Sequence, residues 1–278
     1  MGPHGACLDC YDLSSALSSI AQVAGITVIK LRAALQNYDE SRFESGSEDP
    51  QKLMPREVLE QFGLALDDIR FVGAYYFHGT RVLHPERFLS YGILPLDQMV
   101  EEIWAMLYEL VRSDRTEKQW SEFRAIVEQG DSSAYGHDCE HFSGLYRLKT
   151  RADRRRLLGP YGLLVREVFV DPQATWSHDY LASPEIIRDI AICYRAIFGV
   201  DLERRFHDAS KPCIIKFRTD HGELGAVITA LWYVYRKLRG EKVTDIVGWS
   251  FDGEGVLVPP EAITAIEVVP RILRRNKI

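Results

Sequence analysis

Tyr75-Tyr76-Phe77-His78-Gly79-Thr80-Arg81 decides how this chain is read. With Phe71 and Val72 ahead of it, the aromatic run predicts a strand over 71–77, because such side chains suit a pleated, half-buried surface. The strand delivers a His-Gly-Thr step. A short helix is expected from Pro85 to Tyr91, and Gly92-Ile93-Leu94-Pro95-Leu96 follows. Near the far end a second stretch reads Asp252-Gly253-Glu254-Gly255-Val256-Leu257-Val258-Pro259-Pro260. There a glycine turn carries two acidic residues into an apolar run that stops at two prolines.

Composition sets the outer bounds. At 278 residues the chain is long for one domain and short for two large ones. With 46% apolar residues it can bury a substantial core. Thirty-four basic residues against 40 acidic ones give a net charge of −6, so nothing at whole-chain level advertises nucleic acid or membrane. A local basic groove is still compatible with that total. No apolar run approaches the roughly 20 residues that cross a bilayer, and the first residues do not read as a secretory signal. An odd count of five cysteines argues for a reducing compartment rather than a disulfide framework. The expectation is a soluble cytoplasmic protein.

Outward from the opening stretch, residues 1–69 read as a helical region. Apolar residues recur at helical spacing over 17–35, with Gly25 breaking the run into a helix-turn-helix pattern. Lys30 and Arg32 are the basic residues on its second half, so a cap on the main domain fits better than a DNA reader. Tyr38 to Gln51 is polar and reads as a linker or loop. Helices are expected over 96–110, 120–129, 184–198 and 224–238, and strands over 162–170, 212–217, 246–251, 255–258 and 263–269. Helices fill the middle and strands the end, an α+β order.

His-Gly-Thr, the later Gly-Ile-Leu, and a Glu before a terminal apolar-Pro-Pro strand occur in an order that resembles the NAD-dependent ADP-ribosyltransferases. The resemblance covers the two ends of residues 70–270 and is silent across the middle. It implies an α+β fold with a split β-sheet core, helical insertions, a catalytic domain over 70–278 and a helical N-terminal extension. It also implies NAD as co-substrate, with no metal expected. Breaking the nicotinamide–ribose bond gives the sugar oxocarbenium character, as in glycoside cleavage, so a carboxylate must stand beside it. By resemblance Glu254 is that carboxylate, holding the ribose 2′-hydroxyl. Asp252 would polarise the acceptor or serve as a solvated turn residue. Gly79 would offer its backbone to the carboxamide, His78 would bond the adenine-side ribose, and Thr80 would orient the strand end. Arg81 would meet a pyrophosphate oxygen, since guanidinium matches phosphate geometry. The family's middle motif falls on Tyr161 as first choice, in Leu158-Gly159-Pro160-Tyr161-Gly162, and on Tyr146 as second.

The resemblance further implies transfer to a macromolecule, as by toxins or phage-defence effectors, and an antitoxin or regulator would fit as partner. Nucleic acid is favoured over protein as acceptor, because Arg147, Lys149, Arg151, Arg154, Arg155 and Arg156 precede Tyr161 on an otherwise acidic chain. The basic run at 271–277 is a second such cluster. RNA 2′-phosphotransferases share the HGT and late Val-Pro-Pro, but residues 1–77 contain no Gly-His-Ser. A binding module that kept the pocket and lost activity is the non-enzyme alternative. Cys7, Cys10, His137, Cys139 and His141 could in principle hold zinc, though one C-x-x-C has no second to pair with, and His137–His141 reads as strand or loop.

Overall fold

The computed structural model describes residues 6–39, 50–130, 132–151, 153–171, 178–244 and 247–270. Its early elements are β1 (Cys7–Leu8), α1 (Leu13–Ala24), α2 (Val28–Gln36), α3 (Pro50–Glu60), β2 (Gly73–Val82) and α4 (Phe88–Tyr91). The middle holds α5 (Leu96–Glu109), α6 (Glu117–Gln129), α7 (His137–Lys149) and β3 (Tyr161–Leu163). The rest comprises α8 (Glu185–Phe198), α9 (Leu202–Ala209), β4 (Lys211–Thr219), α10 (Leu224–Leu238), β5 (Ser250–Asp252) and β6 (Ile263–Val268). The class is α+β. Five strands lie in the order β5-β3-β2-β4-β6, and β1 joins β2 off that path. β1 runs parallel to β2, pairing Cys7 with Gly73, and β3 runs antiparallel to it through Phe77 and Leu163.

The chain divides into two compact units. One holds Met1–His78, Gly162–Ser177 and Lys216–Phe251; the other holds Gly79–Tyr161, His178–Ile215 and Asp252–Ile278. In the first, α10 is buried nearly all round, from Ala226 to Tyr235, and α1, α2 and α3 pack on it. A helix with so little polar surface belongs at the centre of its unit. Asp12 caps α1 by accepting from the Ser15 amide at 2.8 Å, and Thr27 caps α2. Between them Gly25 takes the left-handed φ of +66° that ends α1, and the two helices meet across a 108° bend. No single helix among the described residues is long and apolar enough to cross a membrane.

In the second unit α5, α6, α7, α8 and α9 pool Trp104, Leu107, Trp120, Phe123, Tyr146, Ile190, Tyr194 and Phe206 into one core. Trp104 and Trp120 meet edge-on, with centroids 5.4 Å apart. A reciprocal Thr116–Gln119 capping box starts α6.

Several expectations are corrected here. Residues 137–149 form a helix, not a strand or loop. Its buried positions Cys139, Ser143 and Tyr146 have helical spacing, but a serine among them breaks the apolar pattern. The strand expected over 162–170 stops at Leu163, and a 3₁₀ turn occupies Arg166–Phe169. Within 255–258 the pairing is reduced to one antiparallel bridge between Val258 and Ile93. The polar segment before Gln51 already begins α3 at Pro50, while 40–49 and the basic run at 271–277 lie outside the described residues.

Candidate active site

β2 carries the His-Gly-Thr step. Its side chains alternate, so His78 shares a face with Tyr76 and Thr80. Tyr76 is buried and accepts from the Trp249 indole at 3.3 Å. His78 is half-buried, and Gly79 and Thr80 are buried. Arg81 is only 3% exposed. Its guanidinium donates to Ser210 Oγ at 2.9 Å, the Ser210 carbonyl at 3.1 Å, the His207 carbonyl at 2.8 Å and the Leu181 carbonyl at 3.0 Å. Two of those carbonyls belong to the end of α9, where a cation also suits the helix dipole. The side chain expected to meet pyrophosphate is thus used as a clamp on the fold.

The acidic turn is assembled by backbone. Asp252 Oδ1 accepts from the Glu254 amide at 2.9 Å, and Val256 closes back on the Gly253 carbonyl at 2.8 Å. Gly253 donates to the Pro160 carbonyl at 3.0 Å and Gly255 to the Gly159 carbonyl at 2.7 Å. A β-carbon on Gly253 would stand 2.7 Å from the Pro160 ring, so only glycine allows this approach. Glu254 itself has φ +49°, a conformation that non-glycine residues adopt uncommonly and mostly with local support. Its side chain is 60% exposed and faces Arg156, with Nε 3.6 Å from Oε1. Further along, Ile93 donates to the Val258 carbonyl at 2.9 Å, and Val258 returns a bond to the Ile93 carbonyl at 3.1 Å.

Those contacts place Tyr161 beside the acidic turn. Tyr161 is 40% exposed. Partial burial, then the negative charges of Asp252 and Glu185, push its phenol up to about 12, so it is a neutral donor at ordinary pH. Sequence reasoning missed the side chains grouped around Glu185. Lys149 Nζ lies 3.0 Å from Glu185 and 2.7 Å from the buried Asp189, and Tyr180 donates to Glu185 at 3.3 Å. Burial works against charge on Glu185, yet the Lys149 ammonium bonded to it holds its carboxyl below the usual range. Asp189 shifts upward, because deeper burial there outweighs the same lysine. The only local signal for this group is an acid opening a helix after Pro184.

Tyr146 stands elsewhere. It is buried in the helical core, accepting from the Trp104 indole at 2.8 Å and donating to Glu128 at 3.3 Å. Its ring has no open face to offer a nicotinamide. Ser143 is likewise buried, bonded to Ser132 at 2.7 Å. Concavities lined by Trp104, Tyr108, Trp120 and Arg124, and by Tyr38, Asp39 and Glu57, include none of the candidate residues. Cys10 is fully buried and pairs in backbone register with Val165, and burial raises its thiol strongly. Among the described residues no three His, Cys, Asp or Glu side chains group as metal ligands.

No family model matches the chain, and no curated protein or solved structure matches it.

Proposed function

We propose that the protein transfers ADP-ribose from NAD to a macromolecular acceptor, with Glu254 as the catalytic carboxylate. One observation carries the reading. Two segments distant in sequence, 92–93 and 159–160, are each hydrogen-bonded to the 252–258 stretch that carries Glu254, the first at Val258 and the second at Gly253 and Gly255. Together they carry the Gly-Ile-Leu, the Gly-Pro-Tyr and the Asp-Gly-Glu-Gly stretches of the sequence, three of the segments on which the reading rests.

In this reading the nicotinamide stacks on Tyr161, and its carboxamide is held by the backbone of Gly79. His78 bonds the far ribose, and Glu254 bonds the 2′-hydroxyl of the near one. As the glycosidic bond lengthens, positive charge grows at the anomeric carbon beside the Glu254 carboxylate. A fixed charge there stabilises the transition state more than the ground state. The φ of +49° at Glu254 is backbone strain of the kind that concentrates at functional turns. Arg81 has a supporting part only, anchoring the strand that carries His78 and Gly79.

The test is NAD turnover by the purified protein, with released nicotinamide and ADP-ribosylated products identified by mass spectrometry. Glu254→Gln keeps the shape and removes the charge, which is expected to slow turnover by about a hundredfold or more. Near-normal turnover in that variant would show that another group does the chemistry. Product carrying a cyclic phosphate, rather than ADP-ribose on the acceptor, would favour RNA 2′-phosphate transfer instead.

A further inference from the structure

The rim around Glu254 carries exposed side chains that the proposed reaction leaves unused. At one edge Tyr91 is 56% exposed, and Val256 and Leu257 are exposed beside it. Leu257 adjoins the residue after Tyr91: a β-carbon on Gly92 would lie 3.0 Å from Leu257 Cδ1. Arg87 covers one face of the Tyr91 ring, 5.1 Å from its centroid, and is itself paired with Glu102. At the other edge Arg154, Arg155 and Arg156 are all exposed. A β-carbon on Gly255 would stand 3.9 Å from Arg155 Cβ, so this basic run adjoins the same turn.

The charges nearby are largely committed. Asp153 is bonded to Arg151, Glu254 faces Arg156, and Asp252 accepts from the Glu254 amide. Among the described residues Arg154 and Arg155 form no ion pair. Arg154 adds only a through-space attraction to Asp153, which Arg151 already holds, so these guanidinium groups, on a chain of net charge −6, are a local attraction for anions against a repelling whole.

Ring and apolar side chains on one edge and exposed guanidinium groups outside ion pairs on the other fit one ligand chemistry. Unstacked bases need flat apolar faces, and the backbone that carries them needs cations at intervals. A duplex would engage the arginines alone and leave Tyr91, Val256 and Leu257 in water. We propose that this rim docks a single-stranded nucleic acid, with bases on Tyr91 and the neighbouring apolar side chains and phosphates on Arg154 and Arg155. Glu254 belongs to the turn that these edges flank, facing Arg156 and preceding Val256 and Leu257 in the chain. The inference rests on the transfer reading for what becomes of the strand there, and stands apart from it for the docking itself.

Fluorescence anisotropy without NAD tests the docking. The probes are short labelled oligothymidine and oligouridine strands and a DNA duplex of equal length, titrated from about 50 to about 200 mM salt. Both single strands are expected to bind at least tenfold tighter than the duplex, and the two strands compared show whether DNA or RNA is preferred. Tyr91→Ala is expected to weaken binding roughly tenfold, and Tyr91→Phe to bind like the parent. The double variant Arg154→Ala, Arg155→Ala is expected to flatten the slope of log affinity against log salt by about 1.4, at ~0.7 per phosphate contact on a single strand. Circular dichroism confirms that each variant folds. Equal binding of strand and duplex, parental affinity in Tyr91→Ala, or no binding at low salt overturns the proposal, a protein partner on this face then being the remaining occupant. Docking lost with NAD turnover intact refutes the surface alone. Turnover absent with docking intact refutes the reaction alone.

Discussion

Replacing Gly92 with alanine tests how the site is held together. Gly92 has φ +74° and ψ −162°, a region that is essentially glycine's alone. Forcing an alanine into it costs about 1–3 kcal/mol. Its β-carbon would also stand 2.1 Å from the Val258 carbonyl oxygen and 3.2 Å from the Pro259 carbonyl carbon, both of them backbone. Neither atom can swing away as a side-chain tip would. The next residue, Ile93, makes the two bonds that tie this segment to Val258, so relieving the clash breaks them, at about 0.5–1.5 kcal/mol each. Together the loss is expected to reach about 3–5 kcal/mol. That is a large share of the 5–15 kcal/mol typical of a folded domain. The comparison is Gly25→Ala. Gly25 also has a left-handed φ, +66°, but a β-carbon there meets nothing within 4 Å, so only the conformational cost of about 1–2 kcal/mol applies. Urea unfolding of parent and both variants measures the difference, and NAD turnover reports whether the shifted segment at Val258 disturbs Glu254. If Gly92→Ala cost no more than Gly25→Ala, the close contact between these segments would not exist in solution.

The other expectations are narrower. His78→Ala is expected to weaken NAD binding by calorimetry more than it slows the chemical step; unchanged affinity removes His78 from the site. Arg81→Ala leaves the carbonyls at the end of α9 without their donor and is expected to cost about 3 kcal/mol in urea unfolding, whereas parental stability would mean that the clamp contributes nothing net. Asp12→Ala removes the α1 cap, at about 1 kcal/mol near neutral pH. The bond from the Ser15 amide lowers the pKa of Asp12, so its stabilisation is present above the unfolded carboxyl value near 3.9 and is lost as pH falls through the folded one. A gap between parent and variant that persisted undiminished at acid pH would count against the charged cap.

The helices with clear apolar faces were legible because their signals are local. Gly25 divides α1 from α2 by its own backbone freedom, and the apolar spacing of α5, α8 and α10 marks a buried face. Helix α7 was not legible, because two of its buried positions are a cysteine and a serine whose partners, Cys193 and Ser132, lie elsewhere in the chain.

The order of motifs, by resemblance, made Glu254, His78 and Tyr161 candidates: a carboxylate in a glycine turn, an imidazole at a strand end, a ring after Gly-Pro. Whether each side chain is open to a ligand depends on what packs against it, and that is tertiary. Tyr146 and Tyr161 look alike in sequence, yet one is sealed beneath Trp104 and the other is open beside Asp252. Arg81 reads as a phosphate ligand until α9 is seen to end against it. Glu185 carries no motif, and only the packing of α7 along α8 brings Lys149 to it. Short-range backbone preferences are written in neighbouring residues, whereas burial and pairing are set by residues far along the chain, which is why the elements could be read from the sequence and the partners of their side chains could not.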